Sequence, residues 1–93
     1  MSLTYTSGLI LQGIAQGLSY GFHIIDHTGL PSGTVYPALR RLESAGLIES
    51  LWDHKSADQS GGPPRKYYRL TASGQERLRL LRDRYPLLAR TGK

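Results

Sequence analysis

The chain of 93 residues has no cysteine. Neither a disulfide framework nor a thiolate metal site can staple it, so packing alone has to hold the fold, and a reducing compartment suits that composition. The first forty residues lack the basic segment of a secretory leader. The longest apolar stretch, around Leu9 to Ala15, is too short and too interrupted to span a bilayer, so a soluble, cytoplasmic protein without a membrane partner is expected. Catalytic constellations are missing as well. There is no cysteine nucleophile, no convincing Ser/His/Asp set, and no P-loop or dinucleotide glycine pattern, so no enzyme and no cofactor is expected.

Basic residues are absent from the first 39 positions, where Asp26 is the one charged side chain, yet the whole chain carries a formal charge of +5 and a pI near 9.9. Residues 40–70 hold six basic and four acidic residues, and residues 71–93 hold six and two. Such a balance suits an anionic partner, and by itself fits a nucleic acid, an acidic protein or a lipid surface. A chain this short makes one domain and leaves much apolar surface hard to bury alone, so association with a second copy is expected.

The segment from Ser7 to Gln16 is apolar on most sides, the pattern of a helix buried against more than one neighbour. Ser19 is placed to cap a second helix, YGFHIIDH, which Gly29 ends. After the turn Gly29-Leu30-Pro31, Ser32 is placed to cap a third helix that runs to about Ala45, with Gly46 at its end. Two short helices joined by a glycine-containing turn form a helix-turn-helix outline. The period then becomes that of strands in LIESLWDH and RKYYRL, separated by the polar, turn-rich KSADQSGGPP. Thr71 can cap a last helix in which Leu78, Leu81, Tyr85 and Leu88 form one apolar stripe, and Pro86 should kink or end it. The resulting fold class is mainly α with a small β-hairpin, an α+β winged helix-turn-helix followed by a C-terminal helix. The division expected is 1–70 for the winged helix, with the helix-turn-helix at about 19–46 and the wing at about 47–70, and 71–93 for the last helix and tail.

On the third helix, Val35, Ala38, Leu39, Leu42 and Ala45 share the arc expected to be buried. The opposite arc carries Gly33, Tyr36, Pro37, Arg40 and Ser44, with Thr34 and Arg41 on its flank, no acid, and Glu43 pointing elsewhere. Such groups can enter a groove, donate to phosphate and make bidentate contacts with guanine. In the hairpin, Lys55 precedes the tip and Arg65 and Lys66 follow it, where cations can meet a phosphate backbone or simply keep an edge strand from aggregating. Tyr68 and Leu70 share a face, so Tyr68 should pack inward; the lone Trp52 is expected as a core or hairpin anchor. His23 and His27, with Asp26 beside them, could hold a metal only if a third ligand such as His54 came near. Two histidines alone are common by chance, so a solvated helix face and no metal site is expected.

The segment PSGTVYPALRRLESAGLIES, followed by GGPPRKYYRLTASG, resembles the PadR family of bacterial transcriptional regulators. The second motif, Gly62 to Gly74, is the more specific, and Tyr20-Gly21 resembles the family's Gly-Tyr region in reversed order. The resemblance spans roughly residues 9–80. It implies a homodimer whose C-terminal helices pack on the first helices, which brings Leu78, Leu81, Tyr85 and Leu88 together with Ile10 and Ile14. It also implies double-stranded DNA as partner, a palindromic operator with half-sites ~34 Å apart, and usually repression. Matched position by position, Ser32, Gly33, Thr34, Tyr36, Pro37 and Arg40 fall on the recognition helix, and Arg65 and Lys66 on the wing. The single C-terminal helix resembles a short subfamily. Some relatives are released from DNA by a small-molecule effector held near the dimer centre; Tyr85 is the one aromatic on the expected dimer helix, and no effector is named. The competing reading is a winged-helix module whose third helix or wing binds another protein.

Overall fold

The computed structural model describes residues 3–53 and 65–88 in full, and residues 89–90 as backbone. His54, Lys55 and the expected hairpin tip therefore lie outside the described residues, as does the end of the tail. Helix α1 spans Tyr5–Ala15 and starts earlier than its apolar pattern, because the Thr4 hydroxyl accepts the Ser7 N–H at 3.3 Å and caps it. Helix α2 spans Gly21–Thr28 and is not capped by Ser19. The backbone there is committed to the sheet instead. The Ser19 carbonyl accepts the Tyr68 N–H at 2.8 Å and Tyr20 forms an antiparallel bridge with Tyr67. Gly29, at φ 75°, ends α2 in the left-handed conformation that favours glycine.

Helix α3 spans Ser32–Ser44, with Pro31 rather than Ser32 at the cap. Strands β1 (Ile48–Asp53) and β2 (Arg65–Leu70) pair antiparallel, from Ile48 opposite Leu70 to Asp53 opposite Arg65. Helix α4, Ala72–Arg84, is capped by Thr71 as its sequence indicates. Pro86 ends that helix, and the chain resumes as a 3-10 turn over Pro86–Arg90.

The core is built around α1, in which Ile10, Leu11 and Ile14 are all buried, in keeping with a helix covered on several sides. Ile24, Val35, Leu39, Leu42 and Ile48 pack with them, and Tyr68 turns inward as its strand position requires. The stripe Leu78, Leu81 and Leu88 is buried in the same cluster, with Tyr85 packed at its margin. Together with Ile10 and Ile14 it is the seam between α4 and α1 of one chain. Spacing of three and four identifies an apolar face but not whose surface that face meets. Within the seam the buried Gln12 donates from Nε2 to the Leu88 carbonyl at 3.1 Å and accepts at Oε1 from Arg82 Nε at 2.8 Å.

One short stretch joins all three parts of the fold. The Thr71 hydroxyl donates to the Gly46 carbonyl at 2.6 Å, the Thr71 N–H donates to the Leu47 carbonyl at 3.1 Å, and the Thr71 oxygen accepts the Gly74 N–H at 3.0 Å. Gly74 lies so close to Leu47 that a β-carbon there would stand 1.9 Å from the Leu47 carbonyl oxygen, a contact with backbone that no rotamer can relieve. Gly74→Ala should therefore destabilise the protein by ~2 kcal/mol or more, in the range of severe overpacking. Urea unfolding checks this, with the exposed Ser73→Ala as a control expected to change stability by less than ~0.5 kcal/mol.

Candidate nucleic-acid interface

Helix α3 buries Val35, Ala38, Leu39 and Leu42, while Ala45, at the helix cap, is exposed rather than buried as its arc implied. Ser32, Gly33, Tyr36, Arg40, Arg41 and Ser44 face solvent, and Thr34 and Pro37 are half-buried. Glu43 is turned away, accepting the Ser50 hydroxyl at 2.6 Å. The outer arc is thus acid-free. Its first turns are slim: beyond its chain neighbours and the backbone of its own helix, no described atom lies within 4 Å of where a Gly33 β-carbon would stand. Pro37, the sixth residue of the helix, has no N–H to give the Gly33 carbonyl, so α3 lacks one of its regular hydrogen bonds there.

The wing adds Arg65 and Lys66, both exposed. The Arg65 guanidinium lies 5.3 Å from the Phe22 ring centroid, and the Lys66 ammonium lies 5.8 Å from that of Trp52 and 5.9 Å from that of Tyr68. Trp52 does not anchor the core; it is 57% exposed. Its register partner is Lys66, two positions beyond the buried Tyr68, so the inward-facing column of the hairpin has already left the core when it reaches Trp52. Among the described residues Arg40, Arg41, Arg65 and Lys66 form no ion pair. The pairs there are Arg69 with Glu49 and Arg79 with Glu76, both exposed and of the kind that adds little stability. Lys55 falls outside the described residues.

Between α2, α3 and β2 lies an open groove of about 490 Å³, lined by Tyr20, Gly21, Phe22, Tyr36, Arg65, Lys66 and Tyr68. Tyr36 rests on Gly21, where a β-carbon would come within 2.5 Å of the ring, which gives the Tyr20-Gly21 pair a steric reason. Tyr20 stacks on Phe22 at 5.6 Å, and its hydroxyl donates to Asp53 Oδ2 at the end of β1, tying the wing to the start of α2. That hydrogen bond raises the Tyr20 pKa above its ordinary value; burial, with the Glu43 charge second, does the same to Tyr68.

His23 packs on Phe22 with centroids 4.3 Å apart, and among the described residues no three His, Cys, Asp or Glu cluster as a metal would need. Sequence reasoning passed over Phe22 and the part played by Tyr20, and it misread Trp52. It also passed over Leu80 and Leu87, which are 48% and 66% exposed. Phe22, Tyr36 and Trp52 are remote along the chain, and only the turn before α3 and the bridge at Tyr20 bring their neighbourhoods together.

Residues 10–80 match the model of the Transcriptional regulator PadR-like family. Among solved structures, the chain is similar to a PadR family transcription regulator from hypervirulent Clostridium difficile R20291, at 32% identity and a TM-score of 0.76, over 94% of this chain and 93% of that one. It is similar to a PadR-like transcription factor from Bacteroides fragilis at 28% identity and a TM-score of 0.75, over 92% and 84% of the two chains. A PadR family transcriptional regulator from Eggerthella lenta DSM 2243 shares 32% identity, with a TM-score of 0.68 over 90% and 77%. No protein with a curated description matches.

The tie between Tyr20 and Asp53 depends on a protonated phenol. A tyrosine whose folded pKa is raised contributes stability that is fully present below its unfolded value near 10.0 and lost as pH rises through the higher folded value. Ultraviolet titration of tyrosinate should therefore show late-ionising phenols, and Asp53→Ala should move one of them to lower pH. Unchanged titration in that variant would remove the tie.

Proposed function

The chain belongs to the PadR-like family of transcriptional regulators, which are not enzymes, and from that premise we propose that it binds a palindromic operator in double-stranded DNA as a homodimer and represses the adjoining genes. The observation that carries this reading is the surface of α3 and the wing: an acid-free arc with four cations that no described acid pairs. Helix α3 enters the major groove with Ser32, Gly33, Thr34, Tyr36 and Pro37 foremost; Arg40 reads a base edge and Arg41 meets the backbone. Arg65 and Lys66 meet phosphates, as does Lys55 of the segment outside the described residues. In this reading 1–70 binds DNA and 71–93 serves the dimer.

The six side chains that the family resemblance places at the dimer are buried or packed within the single chain, so a partner meets the outer surface of the same elements. Leu80 on α4, Leu87 on the 3-10 turn and Tyr5 on α1 are the large apolar side chains exposed there. None of the described helices is long and apolar enough to cross a membrane, and a cytoplasmic location belongs to this proposal. A small-molecule effector belongs to it only through the family.

Selection of genomic fragments by the purified protein at two salt concentrations should enrich a palindrome; sequence-indifferent binding that vanishes with salt would overturn operator recognition. Arg40→Ala should cost ~1–3 kcal/mol on the operator and relax preference at one position, whereas Lys66→Ala should weaken all duplexes alike and lower the salt slope by about one. Equal losses on every duplex for Arg40→Ala would remove its base-reading role. In analytical ultracentrifugation, the double variant Leu80→Glu, Leu87→Glu should sediment as a folded monomer at concentrations where the parent is a dimer.

A further inference from the structure

Base reading by α3 and phosphate contacts by the wing leave two exposed aromatic rings unused, Phe22 at 40% and Trp52 at 57%, and use a third, Tyr36 at 40%, only by the edge that α3 presents. They are not scattered. Phe22 and Tyr36 form walls of the groove between α2, α3 and β2, and Tyr20 and Tyr68 complete its lining. Lys66 stands at the rim with its ammonium near both Tyr68 and Trp52, so Trp52 extends the same surface outward along the wing. Arg65 stands over Phe22. No acid lines the groove. Its surface is therefore apolar ring faces beneath two cations that form no ion pair with a described acid. A sugar–phosphate chain has the complementary pattern, with apolar deoxyribose faces between anionic groups. A purely apolar protein segment would leave both cations unanswered.

Geometry supplies the occupant. With α3 in the major groove and Arg65 and Lys66 on phosphates, the backbone strand that borders the groove has to pass between α3 and the wing. We propose that the aromatic groove seats this backbone strand of duplex DNA: deoxyribose faces lie on Phe22, Tyr36 and Trp52, and Arg65 and Lys66 hold the flanking phosphates. The inference rests on the DNA-binding reading above and adds to it a binding component of a different physical kind. Contacts to sugar release no counterions, so their share of the affinity does not fade with salt.

The test is fluorescence anisotropy of a labelled random-sequence duplex and of the selected operator, from low to high KCl, with unmodified protein, Phe22→Ala, Trp52→Ala and Lys66→Ala. Phe22 and Trp52 are exposed, and thermal melting verifies that each variant folds. Each aromatic variant should bind about five- to thirty-fold more weakly at every salt concentration, the range for one lost aromatic anchor, with the slope of log K against log salt unchanged. Lys66→Ala should make that slope shallower, and Trp52→Phe should recover most of the loss. Trp52 is the only tryptophan, so its emission in the unmodified protein should change on titration with DNA, saturating together with the anisotropy. Aromatic variants that bind as the parent does, with Trp52 emission unmoved, would overturn the seat and leave DNA binding intact. Losses that appear only as a shallower salt slope would also overturn it, because the rings would then act merely by placing cations. If the unmodified protein bound no duplex at any salt, both readings would fall together.

Discussion

The placing of α3 relative to the wing depends first on the backbone at Gly46 and Leu47. Two adjacent carbonyls there accept the hydroxyl and the N–H of Thr71, and the start of α4 lies flush against the second of them because Gly74 has no side chain. The end of α3, the first residue of the wing, the last residue of the hairpin and the cap of α4 are thus fixed by a few groups within hydrogen-bond reach. Gly46, at φ 79°, makes the turn out of α3 that allows this meeting. The glycine and threonine at the end of the YYRLTASG motif are therefore steric and hydrogen-bonding requirements of one joint.

The second fixed point is the bridge from Tyr20 to Tyr67, which ties the residue before α2 to the edge of the two-stranded sheet. It sets the wing beside α3 at the spacing that opens the aromatic groove. The two ties have different characters. The joint at Leu47 is backbone and close packing, indifferent to pH and salt, whereas the contact between Tyr20 and Asp53 is a side-chain hydrogen bond near the surface. Helix α3 is thereby held firmly at its C-terminal end and the wing more lightly at its outer end.

The element order, the hairpin, the cap at Thr71 and the inward turn of Tyr68 were legible because each rests on local chemistry: a period, a hydroxyl, a glycine. Most of the outward face of α3 was legible for the same reason. What was not legible depended on register or on tertiary partners. Ser19 looks like a cap, yet its carbonyl is taken by Tyr68, a residue 49 positions later. Trp52 lies on the inward-facing column of its strand, but only the pairing with Lys66 reveals that the core has ended by then. The leucine stripe of α4 was correctly seen as a face, while its companion, α1 of the same chain, could not be read from spacing. Leu80 and Leu87, which remain outside, carry no periodic signal at all.

The α1–α4 seam is made of leucines and isoleucines, which hold two helices together strongly but with little preference for position along the axis. Gln12 changes that. Its amide bridges the Leu88 carbonyl and the Arg82 guanidinium in an otherwise apolar seam, so a slip of α4 by one turn would strand polar groups away from water. A seam of this kind behaves like a ratchet with a single tooth: free to vibrate in place, locked against sliding. Displacement of the C-terminal helix along its own axis is thereby resisted at Gln12 more than tilt or rotation of the two helices as a keyed pair.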